Sequence, residues 1–187
     1  MDKIQIGQIP ASGQEITISD NGIWDKPLKE LNIDCKIISP IQAKLNLLPI
    51  QGGLLVRGKL TGHVVQPCDL CAEDAHIIID YTIDNFEEIP GQSIPLEDEE
   101  GNISLDSMEE NWGKDGHIIM ENSMAFLDID SLCWEEFMLA LPLRPLCNEK
   151  CQGLCTICGT NLNEKKCTCV REEGDPRLAT LRTLKIK

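Results

Sequence analysis

Eight of the ten cysteines fall into four close pairs: Cys68/Cys71 in CDLC, Cys147/Cys151 in CNEKC, Cys155/Cys158 in CTIC and Cys167/Cys169 in CTC. A closed thiolate site for one metal takes four ligands, usually as two close pairs around tight turns. Four pairs therefore suffice for one or two zinc ions. Cys155, Cys158, Cys167 and Cys169 carry the stronger signal. Gly159 follows the second thiol and lets the backbone bend, so that N–H groups can point at the sulfurs. A turn-rich spacer, TNLNEKK, then leads to the closing pair. This pattern predicts a zinc-ribbon-like knuckle. Cys147 and Cys151 follow a helix that can pack beside a hairpin bearing Cys68 and Cys71. Those four make a second candidate site, with a metal-free Cys68/Cys71 pair as its rival. Cys35 and Cys133 read as small buried hydrophobes. His63 and His76 flank the CDLC turn, where each can ligate in place of a cysteine or simply be solvated. His117 has no cluster around it.

Cysteine spacing alone also admits disulfides, redox pairs and iron–sulfur clusters. The segment MDKIQIGQIP has no apolar run and no small-residue cleavage site, and no stretch reaches the roughly 18 apolar residues of a spanning helix. These features predict a cytoplasmic chain without a membrane segment, where thiols stay reduced and close pairs serve metals or catalysis. CQGLCTIC matches the C-x3-C-x2-C spacing of radical S-adenosylmethionine enzymes, but the large barrel those enzymes need does not fit in the 29 residues after Cys158. A thioredoxin-like pair belongs at a helix start in a βαβ unit, whereas CDLC lies between two strand-like runs. An iron–sulfur cluster of the electron-transfer type uses similar ligands and stays open. No catalytic triad, paired catalytic carboxylates, phosphate loop or H-E-x-x-H motif occurs, so nothing points to an enzyme.

The formal net charge is −14 over 187 residues, and it is unevenly placed. Residues 1–143 hold 26 acidic against 8 basic residues, and residues 144–187 hold 5 against 9. An acidic body argues against a broad phosphate-binding face and suits a basic protein partner.

The elements that must position the thiols read as follows. EITISD alternates as a strand; KPLKELNIDC is one short helix or a loop and strand. In LLVRGKLTGHVV, Leu54, Val56, Leu60 and Val64 share a face with Gly58 and Gly62. Ile77, Ile79, Tyr81 and Ile83 alternate after QPCDLCAED, so the two runs form an antiparallel hairpin with Cys68 and Cys71 at its tip. Residues 84–116 hold eleven acids against Lys114 and predict a solvated insert, with Trp112 tucked back or docking. HIIMENSMAFLDID reads as one or two short strands. A helix follows, capped by Asp130 or Ser131, with Glu135 and Glu136 near its positive end. Its apolar face is Cys133, Phe137, Ala140 and Leu141, and Pro142 and Pro145 stop it. DPRLATLRTLKIK predicts a last helix with Arg182, Lys185 and Lys187 near its negative end. The fold class expected is α+β. An antiparallel β-rich body spans residues 1–145, with few helices and the insert at 84–116. A Cys-rich zinc-ribbon-like segment and terminal helix span 146–187.

Taken in order, CDLCAE, LALPLRPLC, CQGLCTICGTNLN, CTC and DPRLATLRTLK resemble the YceD family, whose members are called large ribosomal RNA subunit accumulation proteins. The resemblance covers roughly residues 54–187. It implies a bacterial or organellar protein needed for normal build-up of 23S ribosomal RNA. It also implies a genomic association with a small, basic large-subunit ribosomal protein. The reading that follows is a non-catalytic binding or assembly factor, with an iron–sulfur or thiol redox protein as the alternative. Arg177, Arg182 and Lys185 are the candidate contacts to large-subunit precursor RNA or to a protein partner.

Overall fold

The computed structural model describes residues 3–90 and 116–169. Two antiparallel sheets and two helices enclose one main core. The larger sheet has the order β2-β3-β4-β5, built from β2 (Gln14–Ile18), β3 (Lys36–Ile50), β4 (Gly53–Pro67) and β5 (Asp74–Glu88). The smaller has the order β1-β7-β6, from β1 (Lys3–Gln5), β6 (Ile118–Glu121) and β7 (Met124–Asp128). Helices α1 (Gly22–Glu30) and α2 (Ile129–Ala140) pack against each other.

The core forms because strand residues two apart share a face. Ile41, Ala43, Leu45 and Leu47 of β3 lie beside Leu54, Val56, Leu60 and Val64 of β4, and beside Ile79 and Ile83 of β5. Trp24 and Leu28 of α1 and Leu132, Cys133 and Phe137 of α2 cover that face. Gly58 is required by a close approach: a Cβ there would stand 2.1 Å from the Lys44 carbonyl oxygen on β3. The glycine lets β3 and β4 coil tightly around the core.

The β4–β5 hairpin forms as its alternation predicts, and its tip carries Cys68 and Cys71. EITI lies in β2, KPLKE of the ambiguous stretch is the end of α1, and IIME and MAFLD pair as the β6–β7 hairpin. Two expectations need correction. Strand β5 continues to Glu88, so Asp84–Glu88 belongs to the sheet and not to an insert. Asn85 and Glu87 point inward there while Asp84, Phe86 and Glu88 face out, so composition alone hid the strand. Helix α2 is capped two or three residues earlier, by Asp128, whose carboxylate accepts from the Ser131 N–H at 3.1 Å. Glu135 and Glu136 therefore sit mid-helix, away from its positive end. Residues 91–115, Trp112 among them, and residues 170–187, where a last helix with Arg177, Arg182 and Lys185 is expected, lie outside the described residues.

Candidate metal centres

The long hairpin projects the CDLC turn beyond the main core, into a small second cluster. Cys68, Cys71 and Ala75 are buried there, with Leu70, Leu146 and Cys151 packed against them. The turn is closed by the Cys68 N–H to the Glu73 carbonyl and the Ala72 N–H to the Cys68 carbonyl, both 2.8 Å. After α2 the chain returns to this tip. The Asp69 N–H donates to the Pro145 carbonyl at 2.9 Å, and the Leu154 N–H donates to the Leu70 carbonyl at 2.9 Å. Gly153 sits at φ +73°, where a Cβ would lie 2.9 Å from the Leu70 carbonyl oxygen. Glycine alone allows so close a junction.

These bonds bring Cys68, Cys71, Cys147 and Cys151 together, although the two pairs are 76 to 83 residues apart in sequence. Their sulfurs all lie within 4.8 Å of one another. Cys68 and Cys151 are 3.8 Å apart, and Cys71 and Cys147 are 3.5 Å apart. Four thiolates held at about 2.3 Å from one ion stand about 3.8 Å apart, at the corners of a tetrahedron. The donor set and its spacing fit a single ion. A multi-iron cluster stands between its ligands and holds them further apart.

Cys155, Cys158, Cys167 and Cys169 form a second set with the same close spacing. Its knuckle is held by the Gly159 N–H to the Cys155 carbonyl and the Cys155 N–H to the Thr160 carbonyl, both 2.8 Å. Gly159 has φ +72°, as its place after the second thiol requires. The Ile157 N–H points at the Cys155 sulfur at 3.5 Å.

Each set is electrostatically divided. In the inner set, the Asn163 amide holds the Cys151 thiol below its ordinary range, while hydrogen bonding to Cys71 pushes Cys147 up to about 12. In the outer set, the Thr160 hydroxyl and N–H lower Cys158 to about 6, while Cys158 pushes Cys169 up to about 12. Four close sulfurs cannot all ionise without a cation among them. A divalent ion favours all four thiolates at once, so these sets are suited to metal and poorly suited to carrying free charge.

The two sets touch through one loop. Asn161 and Asn163 lie between the pairs of the outer set, yet the Asn163 Nδ2 donates to the Cys151 sulfur of the inner set at 3.2 Å. Asn163 is itself fixed by the Gln152 N–H, 2.8 Å from its Oδ1, and by Asn161 Oδ1, 2.9 Å from its Nδ2. The NLN of the spacer was legible as turn residues, but not as a donor to a distant thiol.

The remaining thiols and histidines fall elsewhere. Cys133 is fully buried and its thiol is pushed up to about 12 by burial; Cys35 is half-buried and raised to about 11 for the same reason. Both are inert packing groups. His63 and His76 meet each other and belong to neither cysteine set. His117 is not isolated, contrary to its sequence surroundings. It is nearly buried, its Nδ1 lies 3.2 Å from Glu87 Oε1, and its Nε2 lies 3.0 Å from Glu135 Oε2. Beside it, buried Glu136 accepts from Asn85.

Residues 56–185, well over half of the chain, match the family model described as Large ribosomal RNA subunit accumulation protein YceD. The chain belongs to the YceD family. Among curated proteins it is similar to the large ribosomal RNA subunit accumulation protein YCED homolog 1, chloroplastic, of Arabidopsis thaliana. That match is 24% identical over 161 residues and covers 79% of this chain and 49% of the relative. The Zea mays protein of the same description is 24% identical and covers 90% of this chain and 61% of the relative. An uncharacterised Mycobacterium leprae protein is 24% identical over 66% of this chain and 50% of its own length. The chain thus spans about half the length of the curated relatives it matches. No solved structure matches it. Among the described residues, no helix is long and apolar enough to cross a membrane.

Proposed function

We propose that this YceD-family protein is a non-catalytic, zinc-stiffened factor that supports accumulation of 23S ribosomal RNA and the large ribosomal subunit. The family match over residues 56–185 carries this reading. The cysteine sets supply its physical part. Tetrahedral sulfur donors around a single ion suit zinc or one iron, and neither set leaves a position for substrate. The ions would act as cross-links, one holding residues 147–151 on the hairpin tip and the other closing the knuckle. The body is acidic and the segment after residue 143 is basic. We propose that Arg177, Arg182 and Lys185 meet precursor RNA, or that the acidic body holds a small basic ribosomal protein, in the cytoplasm of a bacterium.

Depleting the protein is expected to lower large-subunit RNA selectively. Co-sedimentation with large-subunit precursors is expected to weaken steeply with salt. Neutralising Arg177, Arg182 and Lys185 reduces both association and its salt slope if the tail touches RNA, and leaves association intact if the acidic body holds a protein. Normal ribosomal RNA levels without the protein, together with no co-sedimentation at any salt, would refute the proposal. Elemental analysis of protein grown with both metals available is expected to find zinc. A coloured protein with stoichiometric iron would replace this reading with a redox one.

The contact made by Asn163 predicts that metal retention is unequal after its removal. Asn163→Ala is expected to weaken the inner set about 10- to 100-fold, as loss of a partner to a metal ligand commonly does. Competition with a chelator measures this as one ion leaving early. Two ions leaving as in the wild type would show that the amide does not tune Cys151.

A further inference from the structure

We propose that His63 and His76 form a second kind of metal site, a two-imidazole clamp for a first-row divalent transition cation on the outer face of the large sheet. His63 lies opposite Ile78 on β5, and His76 lies opposite Val65 on β4. The two histidines are therefore diagonal neighbours across adjacent strands, within reach of each other on one face. Their ring centroids are 5.2 Å apart, with the planes tilted by 40°. The decisive distance is the 3.1 Å between His63 Nε2 and His76 Nδ1. Two imidazole nitrogens at 2.0–2.1 Å from one ion stand about 2.9 Å apart at a right angle and about 3.4 Å apart at the tetrahedral angle. The observed spacing lies between those limits, so the two nitrogens already stand at the separation of a ligand pair.

The strands make this spacing durable. β4 is an interior strand, bonded to β3 on one side and β5 on the other. Both histidines sit within an unbroken ladder running from Gly53/Glu88 to Pro67/Asp74. Much of the entropy of bringing two ligands together is thus already spent in folding. On the far side, β3 is irregular between Ile37 and Gln42, and Ser39 stands opposite His63. A shallow depression of about 480 Å³, lined by Ser39, Thr61, His63 and Asp80, opens beside His63.

The chemistry differs from that of the cysteine sets. Imidazole nitrogens suit zinc, copper and nickel, and two of them leave coordination positions open. Both facing nitrogens must offer lone pairs, so His63 takes the Nδ1–H form and His76 the Nε2–H form. The site shares no residue with either cysteine set, and it does not depend on what those sets hold.

The test titrates nickel(II) chloride into the full chain as purified, while release of resident metal is followed with an indicator. Wild type is expected to take up one nickel without releasing other metal. His63→Gln and His76→Gln are each expected to weaken uptake by at least about tenfold, because losing one of two ligands abolishes the advantage of intramolecular capture. Paramagnetic broadening should fall on the ring signals of His63 and His76 and spare those of His117. Equal uptake by wild type and both variants overturns the proposal, as does nickel uptake matched by release of resident metal. So does the absence of any uptake, which would leave the 3.1 Å contact as a plain imidazole hydrogen bond.

Discussion

Serine at both Cys68 and Cys71 is expected to release the Cys-rich segment from the hairpin tip while the main core stays folded. The cluster around these thiols is small and separate: Cys68, Cys71 and Ala75 with three partly buried neighbours. The main core, with Trp24, Phe137 and the long strands, shares no member with it. Apolar burial at the tip is too slight to hold residues 144–154 in place, and on the proposed reading an ion held by the four sulfurs does so. Structural zinc sites contribute about 10–16 kcal/mol in small peptides. Losing such a site removes far more than the Asp69–Pro145 and Leu154–Leu70 hydrogen bonds can replace, at about 1 kcal/mol each. The variant should therefore bind one ion fewer. Amide exchange at Asp69 and Leu154 should accelerate by at least about a thousandfold, equivalent to about 4 kcal/mol. Exchange in β3 and β4 near Leu45 and Val56 should change little. Wild-type metal content with unchanged protection at Leu154 would contradict this account.

The second large effect concerns His117. The Glu87 carboxylate raises its imidazole above the ordinary value of about 6.5, against the opposing influence of burial, and Glu135 and Asp128 add to the rise. Burial pushes Glu87 up, but the hydrogen bond and charge of His117 outweigh it and hold Glu87 below its ordinary 4.5. Stability from His117 is thus full below pH 6.5 and is lost as pH rises through its raised folded value. Stability from Glu87 is full above pH 4.5 and is lost as pH falls through its lowered folded value. Glu136, raised by burial, also favours the lower side. The cluster is therefore worth most between about pH 4.5 and 6.5. His117→Gln is expected to cost about 1.5–3 kcal/mol in that window, because it removes a charged hydrogen-bond partner from buried Glu87. The difference between wild type and variant should shrink toward pH 9. A difference independent of pH would show that His117 acts by packing alone.

Sequence patterning was most informative where one chemical period ran without interruption. In the β4–β5 hairpin, inward Leu54, Val56, Leu60 and Val64 alternate with Arg57, Lys59, Thr61 and His63, interrupted only by Leu55 and Val65, and a two-thiol turn marks the reversal. β3 carries the same signal in Ile41, Ala43, Leu45 and Leu47. Pro40 and Pro49 obscure it, because proline argues against a strand unless a bulge accommodates it. The register shifts between Ile37 and Gln42 supply that accommodation around Pro40. The meeting of Cys68/Cys71 with Cys147/Cys151 was reachable from the helix that leads to Cys147. The His117 cluster was not. Glu87 is 30 residues before it, and Glu135 comes from a different element. Only the closure of the fold brings charges with no common motif into one buried place.

The separation of the inner thiols has a consequence in time. Cys155 through Cys169 leave the ribosome almost together and can close around an ion locally. Cys68 and Cys71 cannot, because Cys147 and Cys151 are made 76 to 83 residues later. At roughly 5–20 residues per second, that interval lasts on the order of 4–16 s. During it the hairpin tip carries two thiols that lack their partners. Completion of the inner set is a late event in synthesis, and it requires that β4, β5, α2 and the segment after α2 have all found their places.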